Sequence, residues 1–539
     1  MQKEIYNYCL EKGVLLDSQL LELFSQASDV ETVKVVLEKL RKNTNESVLT
    51  KKFLENNREK FEKIISDLPQ EKKDQLLVNL GLNFEVTGSD IGSKNSFDES
   101  QNTGHSHVQI FSSLPKSDNS RKVEVRDFVN YYKDRFNKLR KILQEHQELD
   151  NLVSIDKLSG NRQGVSIIGM VYDKRYTKNK NLMLEIEDAG GKVKVLINQN
   201  KPELYEKAEE ICLDSVLGFK CSGSREILFA NDVIWPDAMF PERKKSDTEE
   251  YALFVGDMHY GSDLFLDKSF QKFIDYLNGK VPNTSEVDKI KYIYFVGDLV
   301  AGIGIYPGQE DDLRIPDLEQ QYIELAEMLD KIPKHIKLII SPGNHEGIRL
   351  LEPQPVIDEK YGWPLYQLEN VYITPNPCYS AVGVKQNFTG IHVLTYHGFS
   401  FPYYSNNVPS LMNKDAMNCP EEIMKYLLQN RHLAPSHNST QYYPYKEDRM
   451  VIDQVPDIMV SGHSHKFGIT YYRNVLLISI ACWEAITSFQ ERMGNQPDYG
   501  KVPMINLKTR KVKILDFEVK NEVNEIKGWD LEDDSSEQN

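Results

Sequence analysis

Cysteine is scarce and badly spaced for metal or disulfide chemistry. The 539 residues hold six cysteines (Cys9, Cys212, Cys221, Cys378, Cys419 and Cys482), and none forms a C-x-x-C pair. That excludes a cysteine-based zinc module and a disulfide-dense secreted scaffold. Long apolar runs are lacking too: the longest, Val475 to Trp483, is far too short to span a bilayer. The N-terminal MQKEIYNYCLEKG carries charges where a secretory signal has its apolar stretch, so a cytoplasmic protein without membrane contact is expected. Positive charge is in deficit. Lys and Arg total 65 against 81 Asp and Glu, a formal net charge of −16. Non-specific DNA affinity rests on Lys and Arg at phosphates, so a freestanding DNA binder is excluded. Hydrophobic residues at 40% suffice for real cores and exclude global disorder. At roughly 100–200 residues per domain the length implies about three units.

Residues 1–80 read as a helical module, with Leu15, Leu16, Leu20, Leu21, Leu23, Phe24, Val33, Val36 and Leu37 near helical spacing. Residues 81–122, which include GSDIGSKNSFDESQNTGHSH, read as a disordered linker. His105 and His107 form an H-x-H pair there without further ligands, and are not taken as a metal site. Residues 123–150 form a connecting helix: Val125, Phe128, Val129, Tyr132, Phe136, Leu139 and Leu143 make an apolar stripe. Arg126, Lys133, Arg135, Lys138, Arg140 and Lys141 read as its solvated face. Residues 151–240 carry five β-like runs with a helical insert, Leu204 to Ile211, after the third, which is the order of an OB-fold. The loop joining its first two strands holds Lys174, Arg175, Tyr176, Lys178 and Lys180. Such a loop can meet single-stranded nucleic acid, and a basic hairpin is equally a solubility device. Residues 248–520 alternate strands with helices, as a layered α/β domain does, and residues 521–539, with seven acids and one Lys, read as an acidic flexible tail.

The chemistry lies at strand ends. Five segments repeat one plan, an apolar β run followed by polar residues. LFVGDMHYGS supplies Asp257 and His259, IYFVGDLVAG supplies Asp298, and LIISPGNHEG supplies Asn344 and His345. VLTYHG supplies His397, and IMVSGHSHKFG supplies His463 and His465. Sites in open α/β sheets form outside the carboxyl ends of strands, so clusters far apart in sequence can converge. Residues at i and i+2 of an extended segment share a face, so Asp257 with His259, and His463 with His465, can each aim two donors at one place. A lone strand-end His is usually structural, but five such clusters in order are not plausibly accidental. The donors are nitrogen and oxygen without sulfur, which suits Mn²⁺, Fe²⁺ or Zn²⁺. Seven donors exceed the need of one open catalytic ion; two ions sharing a carboxylate, about 3.5–4 Å apart, use them well. His335 reads as a surface residue, His392 as strand packing and His432 as structural.

The motif order D-x-H, G-D, G-N-H-E, H, G-H-x-H resembles that of the calcineurin-like metallophosphoesterases. Lacking G-D-x-x-D-R-G at its second motif, the chain does not resemble the protein-phosphatase branch. GDLVAGIGIYPGQEDDLRI, SPGNHEGIRLLEPQP, YHGFSF, RHLAP and PDIMVSGHSHKFG are similar to the small subunits of archaeal family D DNA polymerase, over about Leu253 to Leu507. They are also similar to eukaryotic replicative polymerase B-subunits. The resemblance implies a layered β-sandwich flanked by helices and a 3′–5′ exonuclease that proofreads for a separate large catalytic subunit. It implies a nucleoid-associated protein whose DNA partner presents a single-stranded 3′ end. It implies two divalent ions, Mn²⁺ first: one on Asp257, His259, Asp298 and His465, the other on Asp298, Asn344, His397 and His463. His345 is the candidate for orienting substrate or protonating the leaving 3′-oxygen. Whether a sliding clamp also binds is left open, as are a non-catalytic scaffold and a small-molecule phosphatase. Ala301 and Glu346 depart from the family's usual Asp.

Overall fold

Alternation along short strands decides the architecture of the large domain. In β7, Ala252 and Phe254 point one way and Leu253 and Val255 the other, and all four are buried. A strand buried on both faces must lie inside a layered stack. The computed structural model describes residues 107–114, 122–238, 243–282, 284–494, 496–519 and 521–527, with scattered positions between 5 and 49.

In chain order the elements used below are β1 (His107–Ile110), α1 (Val125–Gln144), β2 (Gln163–Tyr176), β3 (Leu182–Asp188) and β4 (Gly191–Ile197). Then come α2 (Pro202–Glu209), β5 (Val216–Ser224), β6 (Ile227–Ile234), β7 (Tyr251–Val255), α3 (Asp267–Leu277) and β8 (Ile290–Val296). Next are α4 (Leu318–Leu329), β9 (Lys337–Ser341), β10 (Val371–Ile373), β11 (Cys378–Val384), β12 (Ile391–Thr395) and α5 (Pro420–Asn430). Last are β13 (Ile458–Ser461), β14 (Gly468–Tyr472), β15 (Val475–Ser479), α6 (Ser488–Met493), β16 (Lys501–Asn506), β17 (Val512–Asp516) and α7 (Glu522–Lys527).

Two six-stranded sheets form the large domain, ordered β10-β9-β8-β7-β16-β17 and β14-β15-β13-β12-β11-β1. Strands β7 to β10 run parallel, as do β12, β13 and β15. Phe254, Tyr294 and Val296 of the first sheet pack against Val393, Val460 and Ile478 of the second. Helices α3 and α4 cover the outer face of the first sheet, where Phe273, Tyr322 and Leu325 meet Leu253, Ile293 and Phe295. Helix α5 covers the second, with Ile423 and Leu427 near Met459 and Leu477. The layers are thus helix, sheet, sheet, helix.

Upstream, β2 to β6 close into a barrel ordered β2-β3-β4-β6-β5, with α2 between its third and fourth strands. Its interior is Val165, Ile167, Leu184, Ile186, Val195, Phe219 and neighbours. Helix α1 packs Phe136, Leu139 and Leu143 against Ile168, Val216 and Ile234 of the barrel and Val451 of the large domain.

Four expectations need correction. Within the expected linker, His107–Ile110 forms β1, an edge strand paired antiparallel with β11, because Val108 is 4% exposed in the inter-sheet core. His105 lies outside the described residues. Arg135 is not on a solvated face: it is 2% exposed and its Nε donates to Asp448 Oδ2 at 2.7 Å. The acidic tail begins as helix α7, and Glu522 accepts from the backbone N–H groups of Lys268 (2.7 Å) and Ser269 (3.0 Å). Those are first-turn donors of α3, which a carboxylate satisfies well; residues 528–539 lie outside the described residues.

The fourth correction falls in the N-terminal unit, residues 1–101. There Val33, Val36 and Leu37 are helical and buried, while Leu15–Leu16, expected helical, pair as a parallel strand with Val48–Leu49. The expected stripe Leu20 to Phe24 lies outside the described residues. Among the described residues no helix is long and apolar enough to cross a membrane, and all six cysteines are free.

Candidate metal centre

Each predicted donor follows the carboxyl end of a strand: Asp257 and His259 after β7, Asp298 after β8, Asn344 and His345 after β9. His397 follows β12, and His463 and His465 follow β13. Because the donor-bearing strands of each sheet run parallel to one another, β7 to β9 in the first and β12 with β13 in the second, their carboxyl ends share an edge, and sheet packing brings the two edges together. His397 Nε2 lies 3.1 Å from Asn344 Oδ1 and 3.2 Å from Asp298 Oδ2, across the sheets. His259 Nε2 lies 3.0 Å from His465 Nε2. The His463 backbone N–H donates to both oxygens of Asp257, at 3.1 and 3.0 Å.

Three groups of donor atoms lie within 4.8 Å of one another: Asp257–His259–His465, Asp298–His397–His463 and His259–Asp298–His345. Asp298 belongs to two of them. The structure therefore brings together all seven expected donors, and adds His345, whose ring centroid is 4.5 Å from that of His259.

Five of these residues have left-handed backbones: Asp257 (φ 47°), His259 (51°), Asp298 (48°), His463 (70°) and His465 (54°). For non-glycine residues this conformation costs of order 1–3 kcal/mol each and persists only where surroundings over-determine it. Here backbone bonds do so: Asp257 N–H donates to Gly297 O, His259 N–H to Asp298 O and Asp498 N–H to His465 O. Glycine permits the close approach. A Cβ on Gly297 (φ 78°) would sit 2.3 Å from His397 Nδ1, and one on Gly343 2.3 Å from Asp298 Oδ1.

The electrostatics favour a cation. Asp257, Asp298, His259 and His397 are at most 3% exposed. Burial and the nearby Asp298 hold the Asp257 carboxyl well above its ordinary range. Burial, with the surrounding imidazoles, pushes His463 down to about 3 and His465 to about 4. His397 goes the other way, to about 10, because its neighbours Asp298 and Asp257 outweigh its burial. Buried carboxyl groups beside the neutral imidazoles of His463 and His465, with the His259 and His465 nitrogens 3.0 Å apart, fit a divalent ion bound through N and O.

Residues outside the seven expected donors hold the loops. Glu346 accepts from Leu299 N–H at 2.6 Å and Gly343 N–H at 2.7 Å, stitching the loop of Asp298 to that of Asn344. The extra methylene relative to Asp is thus used to reach both backbones. At Ala301 the main-chain carbonyl is the working group, accepting from His345 Nδ1 at 2.7 Å and Gln309 Nε2 at 2.8 Å. Asn376 Oδ1 accepts from His397 N–H at 2.9 Å, and Gln354 Nε2 donates to Gly343 O at 2.7 Å. No sequence motif marks Asn376, and Gln354 stands within SPGNHEGIRLLEPQP with no role assigned there; three-dimensional proximity supplies both roles.

Outside the centre, His432 is buried with Nε2 2.9 Å from Asp448 Oδ2. His392 lies half-buried on β12 with Nδ1 3.0 Å from the Tyr379 hydroxyl, and His335 is exposed. The expected basic loop is shorter than its sequence suggests: Lys174, Arg175 and Tyr176 lie on β2, paired with β3, and only Lys178 and Lys180 fall in the turn. Lys174 Nζ is tied to Glu209 O (2.6 Å) and Ile211 O (2.8 Å) at the end of α2. Arg175, Tyr176, Lys178 and Lys180 are exposed.

Residues 252–467 match the calcineurin-like phosphoesterase family, so fold and site define a metallophosphoesterase domain. The chain is 39% identical over 403 residues to the DNA polymerase II small subunit of Pyrococcus furiosus, covering 73% of this chain and 64% of that one. With the Methanothermobacter thermautotrophicus DNA polymerase II small subunit it shares 35% over 398 residues, covering 73% and 80%. With that of Halobacterium salinarum it shares 32% over 401 residues, covering 73% and 75%. The chain belongs to the archaeal DNA polymerase II small-subunit family; it spans just under two thirds of the length of the Pyrococcus relative.

Proposed function

We propose that this chain is the proofreading subunit of a replicative DNA polymerase, a 3′–5′ exonuclease dependent on two divalent ions and associated with a large catalytic subunit. The observation that carries this is Asp298, which belongs to two donor groups at once and so can bridge two ions. Asp257, His259, Asp298 and His465 would hold one, and Asp298, Asn344, His397 and His463 the other. Mn²⁺ suits this donor set first, with Fe²⁺ and Zn²⁺ as alternatives. Such ions supply Lewis-acid activation of water and neutralise charge on phosphoryl oxygens.

The chain's own groups prepare the rest. Backbone N–H groups of His463 and His345 orient the two carboxylates, and His345 N–H lies 3.0 Å from Asp298 Oδ1. His345 Nδ1 faces the Ala301 carbonyl, so its Nε2 is turned inward, 3.7 Å from Asp298 Oδ2. From there Nε2 can deliver a proton to the 3′-oxygen as the P–O3′ bond breaks. We read the upstream barrel as an OB-fold that guides a single strand, supported by its exposed Tyr172, Tyr176, Lys178 and Lys180.

Co-expression with candidate large subunits, followed by a Mn²⁺-dependent mismatch-excision assay with and without Asp298→Ala, tests the reading. Excision that survives Asp298→Ala would remove the site from the reaction. Turnover of a small phosphomonoester without release of mononucleotides would point instead to a phosphatase.

A further inference from the structure

His465 meets a polar partner at each ring nitrogen, and the partner behind it differs in kind from those of its neighbours. Its Nε2 faces His259 Nε2 at 3.0 Å, and its Nδ1 faces the side-chain nitrogen of Gln490 at 3.0 Å. The ring is 7% exposed. Gln490 lies on the first turn of α6, in a reciprocal cap. Its Oε1 accepts from Thr487 N–H at 3.0 Å, and Thr487 Oγ1 accepts from Gln490 N–H at 3.1 Å. The Thr487 N–H requires an oxygen, so the amide presents its NH₂ to the ring. A donor at Nδ1 makes that nitrogen an acceptor, and the neutral ring then carries its proton on Nε2.

His397 and His345 are set the opposite way. Their Nδ1 atoms face main-chain carbonyls, Val296 O at 3.1 Å and Ala301 O at 2.7 Å. A carbonyl only accepts, so those rings keep a proton on Nδ1 and turn Nε2 inward.

We propose that Gln490 is a positioning residue that governs whether His465 Nε2 is open to a divalent cation. This rests on the metal reading given above. For Nε2 to ligate, Nδ1 must take the proton, and the amide must turn its oxygen to the ring. Thr487 N–H then loses its acceptor. Cation binding at His465 and capping of α6 therefore compete for one oxygen. Gln490→Glu offers two oxygens and satisfies both partners, while Gln490→Leu satisfies neither and leaves a buried Nδ1–H unpaired.

Calorimetric titration of Mn²⁺ into the full chain tests this. Partners behind a ligand are worth about 10–100-fold in metal affinity. The expected order is Gln490→Glu tighter than wild type and Gln490→Leu weaker by that factor. Thr487→Ala, which removes only the hydroxyl half of the cap, leaves Mn²⁺ affinity within about threefold of wild type on that scale. Hydrogen exchange at Thr487 N–H should quicken when Mn²⁺ is added to wild type, and not in Gln490→Glu. Wild-type affinity in both Gln490 variants overturns the proposal while leaving the metal reading intact. Failure of the wild type to bind Mn²⁺ overturns both.

Discussion

Asp298 and His397 come from different sheets, yet their Oδ2 and Nε2 atoms lie 3.2 Å apart with both side chains out of solvent. Asp298 also reaches the group of His259 and His345. One carboxylate therefore joins donors from both sheets. Removing it should disable both ion positions. We expect Asp298→Asn to lower Mn²⁺-dependent nuclease activity by about 10²–10³-fold or more, since each such electrostatic contribution is worth several kcal/mol. Metal content by mass spectrometry should fall in parallel. Wild-type content with full activity would count against the shared carboxylate.

His345 offers a sharper separation. As a proton donor it should be dispensable for ion binding, so His345→Ala should keep its metal and lose about 10²–10⁴-fold in rate. Loss of metal instead would place His345 among the ligands, as its group with His259 and Asp298 allows.

Helix α1 is pinned by a buried ion pair. Arg135 Nε meets Asp448 Oδ2 at 2.7 Å, with side chains 2% and 0% exposed. Breaking a buried pair by removing one partner costs about 3–5 kcal/mol, because the other charge is left unpaired. Arg135→Ala should lower the thermal midpoint and expose 125–144 to protease. An unchanged midpoint would show that the Asp448 charge finds another partner.

The same cluster predicts acid sensitivity. Burial, with Arg135 nearby, lowers His432 to about 4 from an ordinary 6.5. Between those values the unfolded chain binds a proton that the folded one refuses. Stability is thus fully present above about pH 6.5 and is lost as pH falls toward 4, by on the order of 3 kcal/mol. Asp448, held well below its ordinary range despite burial by Arg135 and His432, adds a loss at lower pH with the same sign. Denaturant titrations at pH 7.5 and 5 should differ accordingly, and His432→Gln should flatten the difference.

For the barrel, the split between Lys174 and its neighbours gives opposite outcomes. Lys178→Ala with Lys180→Ala should weaken single-strand binding and reduce the salt slope by about 1.4, at roughly 0.7 per phosphate contact. Lys174→Ala should reduce barrel stability and leave the slope alone. A slope that moves only with Lys174 would contradict the assignment.

Much of this was legible in one dimension. The runs ending in Gly256, Gly297 and Gly462 announced strands, and the polar residues after them announced a site, because strand period and turn chemistry are local properties. The burial of Arg135 is not legible there, because helical periodicity says which face a residue takes, not what packs on that face. Strand β1 was missed because HVQI is short and set among Gly, Ser and Asn, and only pairing with β11 gives it a place. Asn376 carries no signal in the sequence, and Gln490 carries only that of a helix cap with Thr487, since what else a side-chain amide does depends on what lies 3 Å away.

The sequence by itself determined the donor types, their order and their strand-end positions, and with them the phosphoesterase class. Tertiary structure decided which donors share a place, that Asp298 belongs to two groups, and which nitrogen of each histidine faces inward. The reason is physical. Donor identity is written residue by residue, whereas convergence requires two parallel edges pressed together by a common core. It also requires left-handed backbones at Asp257, His259, Asp298, His463 and His465, braced by bonds to chain distant in sequence.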